Sequence, residues 1–391
     1  MRALWLASWY PDKVDAYNGD FVQRHAFAAS LYCEIDVIHV QPDFDGLVAD
    51  GEIECTRQNQ NLHETVAYLR MSKRFWMKPM NQLRYFRLFK RLLERYINEK
   101  GKPDIVHVHV PIKAGQMALY LKRKYNIPFV VTEHWAIYNH HAPGKFSSQS
   151  AWFRLLTKKV LSESANFFPV SNELGTAVNK MVVPKTYKVI PNVVDTGLFS
   201  YKEKKDPKPF VFLHASTLNY QKNPEAIIET FIRLNQKYPD TELRILGEVP
   251  PQLQLYLEKK TLPPAVIFEG MVSYKEVAGH MQQSDCLLLF SRYENLPCVI
   301  LESFCCGVPV ISTGVGGIPE VINKDNGLIV PNDTNALYEA MEHMVLQKSK
   351  YNRPAIAEAA SNQFSYETVG KTILYEYCVV KLREKEGELK R

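Results

Sequence analysis

Cys286-Leu-Leu-Leu-Phe290-Ser-Arg-Tyr-Glu294-Asn-Leu-Pro-Cys-Val-Ile-Leu-Glu302 is the stretch from which the fold of this chain can be read. The apolar run at its start reads as a buried strand, and a Gly-Val-Pro turn from Gly307 to Pro309 leads into a second apolar run. One carboxylate, Glu294, is then expected on a strand-to-helix loop, and the other, Glu302, about two turns along the helix. If the whole segment were helical, eight steps of about 1.5 Å would part them by roughly 12 Å. Between them lies a helix N-terminus, where backbone N–H groups and the helix dipole favour phosphate. An acid for a sugar hydroxyl, a cradle for a diphosphate and an acid for a ribose would fit this arrangement.

Working outward, strand-like runs alternate with helical segments, which argues for parallel sheets with crossover helices. In the first half, strands are expected at 4–8, 35–40, 105–110, 129–132, 167–170 and 188–190, with a helix at 21–32. In the second half they are expected at 210–215, 242–246, 265–268, 286–290, 309–313 and 328–330. The polar, Pro-bearing stretch 202–209 reads as a linker. The expected fold class is α/β, with two Rossmann-like domains: 1–200, and 201–365, the first joined by a C-terminal helix at 366–391. In open parallel sheets ligands bind beyond the C-terminal strand ends, so the site is expected in a cleft between facing loops.

Length and composition agree with this. The 391 residues suffice for two domains, with 46% apolar and 23% charged residues, a globular balance. The apolar runs fall short of a membrane span. The start, Met1-Arg-Ala-Leu-Trp-Leu-Ala7, has the look of a signal peptide but reads as a first buried strand, because Asp12, Lys13 and Asp15 follow with no small-residue cleavage site. Seven scattered cysteines without a C-x-x-C pair favour a reduced, cytoplasmic protein.

Lys222 stands in Leu218-Asn-Tyr-Gln-Lys-Asn-Pro224, just after the first strand of the second half, and Pro224 suits the first turn of a helix. A lone Lys there is by default a solvated surface residue; beside the acid pair it reads as a phosphate ligand. His134, in Thr132-Glu-His-Trp135, lies beyond a strand end, where an imidazole could meet a sugar hydroxyl or pack as a structural residue on Trp135. His140 and His141 match no closed zinc pattern, and a metal is not expected. Gly314-Val-Gly-Gly317-Ile-Pro-Glu320 reads equally as a tight turn or a ligand loop. Asp43-Phe-Asp45 reads as a solvated loop rather than a metal–nucleotide motif.

The net charge of +6 is unevenly placed: residues 70–102 carry 11 Lys or Arg against Glu94 and Glu99. Within 81–97, Phe86, Phe89, Leu93 and Tyr96 fall at helical spacing beside a ribbon of Arg84, Arg87, Arg91 and Arg95. The plain reading is a surface helix. The sharper one, aided by Phe75, Trp76 and Met77, is a membrane surface or an anionic-acceptor site spanning Phe75 to Arg95. No recognition motif supports nucleic acid.

Taken in order, these motifs resemble glycosyltransferase family 4, the retaining GT-B transferases. The resemblance rests on Asn18-Gly19-Asp20-Phe21, Thr132-Glu-His-Trp135, Ile190-Pro-Asn-Val-Val-Asp195, Gln221-Lys-Asn-Pro224, Phe268-Glu-Gly270, the 294–302 acid pair, Gly316-Gly-Ile-Pro-Glu320 and Asn326-Gly-Leu-Ile-Val-Pro331. It implies a nucleotide diphosphate sugar as co-substrate, with no other cofactor and no metal. Glu302 would bind the ribose, Lys222 the diphosphate and Glu294 the donor sugar. Backbone groups from Asn295, Leu296, Cys298 and Val299 would assist, whereas Pro297 lines the site without an N–H. Thr217 and Met271 complete the implied donor set. Gly19 would let a first-domain loop approach the phosphates, and His134 would reach the donor sugar. Thr217 stands where the family often carries an Arg, so one charge on the diphosphate is either missing or supplied from elsewhere, with Arg292 as the candidate.

The expected activity is transfer of a sugar from a UDP- or GDP-sugar to an acceptor hydroxyl, the acceptor being a sugar or lipid-linked, in polysaccharide or glycolipid synthesis. The catalytic residues would be Glu294, His134 and Lys222, in a cytoplasmic protein peripheral to the inner membrane face. A sugar-nucleotide epimerase and a non-catalytic sugar-nucleotide-binding subunit are the alternatives.

Overall fold

The computed structural model describes residues 1–140, 142–204 and 208–389. His141 and residues 205–207 of the expected linker lie outside the described residues. Two compact units emerge: unit 1 takes Met1–Tyr138, Pro143–Val193 and Tyr366–Arg391, and unit 2 takes Val194–Ser365 with Asn139–Ala142.

Unit 1 is built on strands β1 (Arg2–Ala7), β2 (Glu34–Asp43), β3 (Ile53–Asn59), β4 (Leu62–Arg70), β5 (Ile105–His109), β6 (Phe129–Glu133) and β7 (Phe167–Pro169). They stand in the order β3-β4-β2-β1-β5-β6-β7, all parallel except β3. Helices α1 (Asp20–Ser30), α2 (Lys78–Lys100), α3 (Ala114–Tyr125), α4 (Ala151–Glu163) and α5 (Asn172–Met181) complete its first part. The central strand is covered on both faces: residues 3–7 of β1 have no exposure, which is why it reads as a continuous apolar run.

Unit 2 has β8 (Phe210–Ala215), β9 (Thr241–Leu246), β10 (Val266–Gly270), β11 (Cys286–Leu289), β12 (Val310–Thr313) and β13 (Gly327–Val330), with α6 (Pro224–Lys237), α7 (Pro251–Leu257), α8 (Tyr274–Gln282), α9 (Cys298–Cys305), α10 (Thr334–Leu346) and α11 (Arg353–Phe364). The sheet order is β10-β9-β8-β11-β12-β13, wholly parallel. The chain enters unit 2 already at Val194, because Val194 N–H bonds Phe364 C=O at 2.8 Å and Gln282 donates to Leu198 C=O at 3.1 Å.

The last helix, α12 (Tyr366–Leu389), belongs to unit 1 and lies on α1. Gly370 allows that approach: a Cβ there would sit 2.1 Å from the Ala28 carbonyl oxygen. Its Tyr377 hydroxyl is 2.6 Å from His107 Nδ1.

Setting aside the antiparallel edge strand β3, both sheets follow the doubly wound order 3-2-1-4-5-6, and each has its switch point where the winding reverses. In unit 1 this lies between β1 and β5, in unit 2 between β8 and β11. The loops leaving those strand ends are where a ligand is expected.

Two readings change. Residues 188–190 form no strand; they run beside β7 through Lys188 N–H to Phe167 C=O and Ile190 N–H to Pro169 C=O, both 3.1 Å. The hairpin β3–β4 was not expected, because β3, Ile53-Glu-Cys-Thr-Arg-Gln-Asn59, is a largely exposed polar edge.

Candidate active site

In unit 2 the two switch-point loops are tied together. Lys222 closes the β8–α6 loop, with its N–H on Asn219 C=O at 2.9 Å, and Pro224 starts α6. Leu218 and Asn223 adopt φ of 51° and 52°, a left-handed conformation that non-glycine residues hold at a cost. Arg292, from the loop after β11, braces this turn. Its N–H bonds Gln221 C=O at 2.8 Å, and its guanidinium donates to Tyr220 C=O and to Asn223 Oδ1 at 2.7 Å while lying 4.0 Å from the Tyr220 ring centre. The guanidinium offered as a substitute for a charge at Thr217 therefore holds the loop in place. Thr217 itself is exposed.

Glu294 is buried, and its Oε1 lies 2.5 Å from Lys222 Nζ; Gln221 donates to its Oε2 at 3.2 Å. The side chains of the pair are 16% and 7% exposed, so each charge depends on the other for solvation. Behind Glu294 stands the 314–320 loop. Gly316 has φ of +59°, a Cβ there would fall 2.2 Å from Glu294 O, and Gly317 N–H bonds Asn295 C=O at 2.7 Å. That glycine loop thus acts as a backing for the acid.

Asn295 and Leu296 are buried; Pro297, Cys298 and Val299 are partly exposed. Helix α9 begins at Cys298 after Pro297, with no side-chain cap. Glu302 is therefore little more than one turn into the helix, not two, and the fully helical spacing does not apply. Glu302 is buried and accepts from the Tyr274 hydroxyl at 2.7 Å, and the Tyr274 ring packs 4.8 Å from that of Phe199. Met271, after β10, is 56% exposed. Lys222, Glu294 and Gln221 are thus in direct contact, with α9 and Glu302 continuing the same chain segment.

Unit 1 has a second cluster. Gly19 precedes α1 at φ +69°, and a Cβ there would lie 2.6 Å from the Trp9 carbonyl carbon, so this glycine is required by the loop's own packing. Phe21 then reaches His134, with ring centres 4.6 Å apart. His134 Nε2 is 3.3 Å from His109 Nδ1, and the His25 ring is 5.4 Å away. His109 and His107 share one face of β5, and Trp5 stacks on His109 at 4.2 Å. The His109 Nε2 atom is buried without a hydrogen-bond partner.

Burial pushes the His107, His109 and His134 pKa values well below the ordinary histidine value, and neighbouring imidazoles add to this, so these rings stay neutral. Burial raises the neighbouring Glu133 carboxyl to about 7, although the Trp135 N–H, the Tyr138 hydroxyl and the His134 N–H all donate to it.

The sequence pointed to His134, with Glu133 and Gln221 only as members of the quoted motifs, and not to His25, His107, His109 or Tyr274. The available signal was His107-Val-His109, two imidazoles on one strand face. Asp43 also reads differently: it is buried and accepts from the N–H groups of Asp45, Gly46 and Val48, organising its loop rather than lying solvated. Among the described residues, Glu34, Asp36 and His63 could converge on a metal. They lie at the opposite end of β2 from the switch point, and Asp36 is already held by Lys100 at 2.5 Å and Tyr96 at 2.8 Å.

Residues 26–198 match the sequence model described as Glycosyltransferase Family 4, and residues 197–361 match the one described as Glycosyl transferases group 1. The chain belongs to glycosyltransferase family 4. Glycogen synthase of Mycobacterium tuberculosis is 25% identical over 307 residues, covering 76% of this chain and 74% of that protein. Alpha-monoglucosyldiacylglycerol synthase of Acholeplasma laidlawii is 24% identical over 266 residues, covering 60% and 65%. The crystal structure of Anabaena Alr3699/HepE in complex with UDP superposes with a TM-score of 0.71 at 16% identity, over 97% of this chain and 100% of that one. The fold is GT-B, and the protein is a glycosyltransferase. Among the described residues, no helix is long and apolar enough to cross a membrane.

Proposed function

We propose that this family 4 glycosyltransferase moves a sugar from a nucleotide diphosphate sugar, UDP- or GDP-linked, to an acceptor hydroxyl with retention of anomeric configuration and without a metal. The observation that carries the reading is the largely buried Lys222–Glu294 pair at the unit 2 switch point, directly before the start of α9. Lys222 would meet the diphosphate, supplying the charge a metal would otherwise bring, and the α9 N-terminus would add its dipole. Glu302, fixed by Tyr274, would accept from the ribose hydroxyls, and Glu294 and Gln221 would hold the sugar.

In the reaction the bond from the anomeric carbon to the diphosphate oxygen breaks, and the diphosphate leaves with the electron pair. The acceptor oxygen bonds that carbon on the face the leaving group vacates, and its proton passes to a phosphate oxygen. Stabilising the leaving charge is the largest contribution asked of the protein, and Lys222 is placed to make it. In unit 1 we assign His134, kept neutral by desolvation, to a hydrogen bond with a sugar hydroxyl, and Gly19 to the loop packed on Trp9 beside it.

A role in cell-surface polysaccharide or glycolipid synthesis suits the set, since one relative is named as a glucosyldiacylglycerol synthase and another as a glycogen synthase. The unpaired cysteines, several of them buried, suit a cytoplasmic location. The test is incubation of purified protein with UDP- and GDP-sugars, with and without acceptor, followed by NMR of the product anomer. Diphosphate release that depends on acceptor, with a retained anomer, supports the reading. Conversion of the donor sugar without acceptor would show an epimerase instead.

A further inference from the structure

Unit 1 holds a cavity of about 590 Å³, a size typical of small-ligand sites, at the C-terminal ends of β2, β4 and β5 and the first turns of α2 and α4. Its walls are aromatic and aliphatic: Phe44, Met71, Tyr85, Phe86, Trp152 and Phe153. Lys73, Lys78 and Lys113 also line it, and among the described residues no carboxylate does. Lys73 is already paired with Asp45 outside the lining, which leaves Lys78 and Lys113 as the cations facing an occupant. The Lys113 ammonium lies 5.6 Å from the Tyr85 ring centre, and burial lowers its pKa.

Two features mark the cavity as built for a ligand. Tyr85 is 3% exposed, and its hydroxyl is buried with no hydrogen-bond partner, which folding alone leaves uncompensated. The turn entering it from β5 is strained: Val110, β-branched, and Lys113 both hold positive φ, at 66° and 64°. Ser8 pins this turn by donating to Val110 C=O at 3.0 Å. An aromatic cavity with two cations, no acid and one unsatisfied hydroxyl is complementary to an apolar chain joined to an anion.

We propose that this cavity binds the apolar chain and phosphate of a lipid-linked acceptor, the chain against Phe86, Trp152 and Phe153 and the phosphate beside Lys78 and Lys113. The identity of the occupant as acceptor rests on the transferase reading above; the binding of a phosphorylated amphiphile does not. The turn leading into α2 agrees, since Phe75 and Trp76 are 73% and 60% exposed beside the entrance helix.

The experiment is calorimetric titration of the full chain with farnesyl phosphate, farnesol and inorganic phosphate, kept below micelle formation. The expected result is saturable farnesyl phosphate binding at least ten-fold tighter than either part alone. Trp152→Ala and Lys78→Ala should each weaken it five-fold or more, and as both side chains are substantially exposed neither change empties the core. UDP- or GDP-sugar stabilisation, measured in parallel, should be unchanged in both variants. Equal binding of the three probes, absence of saturation, or wild-type binding by the variants would overturn the proposal. So would binding confined to phosphatidylglycerol vesicles, lost in Trp76→Asp and kept in Trp152→Ala, which would make this face a membrane contact. Absence of nucleotide-sugar binding alongside intact farnesyl phosphate binding would instead remove the transferase reading and leave the cavity assignment standing.

Discussion

The Lys222 ammonium lies 2.5 Å from the Glu294 carboxylate, both largely buried. The cation proposed for the diphosphate is thus already paired in the free protein, and Glu294 is oriented by the residue it must share. A diphosphate entering here would share the Lys222 ammonium with Glu294. Lys222→Met should lower kcat by about 100-fold, the scale of losing one charge-stabilising donor. It should also destabilise unit 2 by up to about 3 kcal/mol, since Glu294 is left buried without its counter-charge. Lys222→Met with Glu294→Gln should recover most of that stability and none of the activity. Thermal unfolding and transfer assays of the two variants check this, and parallel recovery of both properties would argue for a purely structural pair.

Glu302 should act on nucleotide affinity rather than on the chemical step. Loss of charged hydrogen bonds in Glu302→Ala predicts weaker nucleotide binding by about 10- to 100-fold. Tyr274→Phe, which removes the 2.7 Å bond that orients the carboxylate, should cost only a few-fold. Titration with the nucleoside diphosphate separates the two; a larger effect from Tyr274→Phe would contradict the ribose assignment.

Gly316→Ala should disable the site from behind. The left-handed conformation alone costs a non-glycine residue about 1–2 kcal/mol, and the new Cβ would meet Glu294 O at 2.2 Å. The expected outcome is a lower melting temperature together with lost transfer, because the Glu294 segment must move. Full activity in this variant would separate the glycine loop from the acid's placement.

Stability of unit 1 should fall on mild acidification. His25, His107 and His109 are buried, and burial depresses each pKa, so below about pH 6.5 the unfolded chain binds protons that the fold refuses. Each such ring removes up to about 1.4 kcal/mol of stability per pH unit as pH falls. Glu133, raised to about 7, acts in the opposite sense between its ordinary value and 7, because there the fold holds the proton and the unfolded chain releases it. These rings, joined by His39 and His134, whose pKa values burial also lowers, outweigh Glu133 and Asp12, the carboxyls that burial raises. Unfolding curves between pH 7.5 and 5.5 should show a falling midpoint, and His109→Gln should flatten the slope. A slope unchanged in that variant would place the effect elsewhere.

What the sequence disclosed follows from which interactions are local. β11 and its neighbours were legible because strands buried on both faces read as unbroken apolar runs. Lys222, Glu294 and Glu302 were legible because each lies within a few residues of a strand end or helix start. The edge strand β3 was not, since its polar face is indistinguishable from a loop. The histidine cluster was hidden because β5 and β6 bring His109 and His134 together across 25 positions. Arg292 was misread for the same reason: its partners, Tyr220 and Asn223, lie about 70 positions earlier, on a loop whose closeness only the β8–β11 pairing creates.

Whether unit 2 holds a nucleotide diphosphate sugar through Glu302 and Lys222 is tested directly by calorimetric titration with UDP- and GDP-sugars. Wild-type protein should bind one member saturably. Glu302→Ala should lose affinity for both the sugar nucleotide and the free nucleoside monophosphate, while Lys222→Met should lose affinity mainly for the diphosphate forms. Absence of binding by the wild type, or binding untouched in both variants, would contradict the assignment.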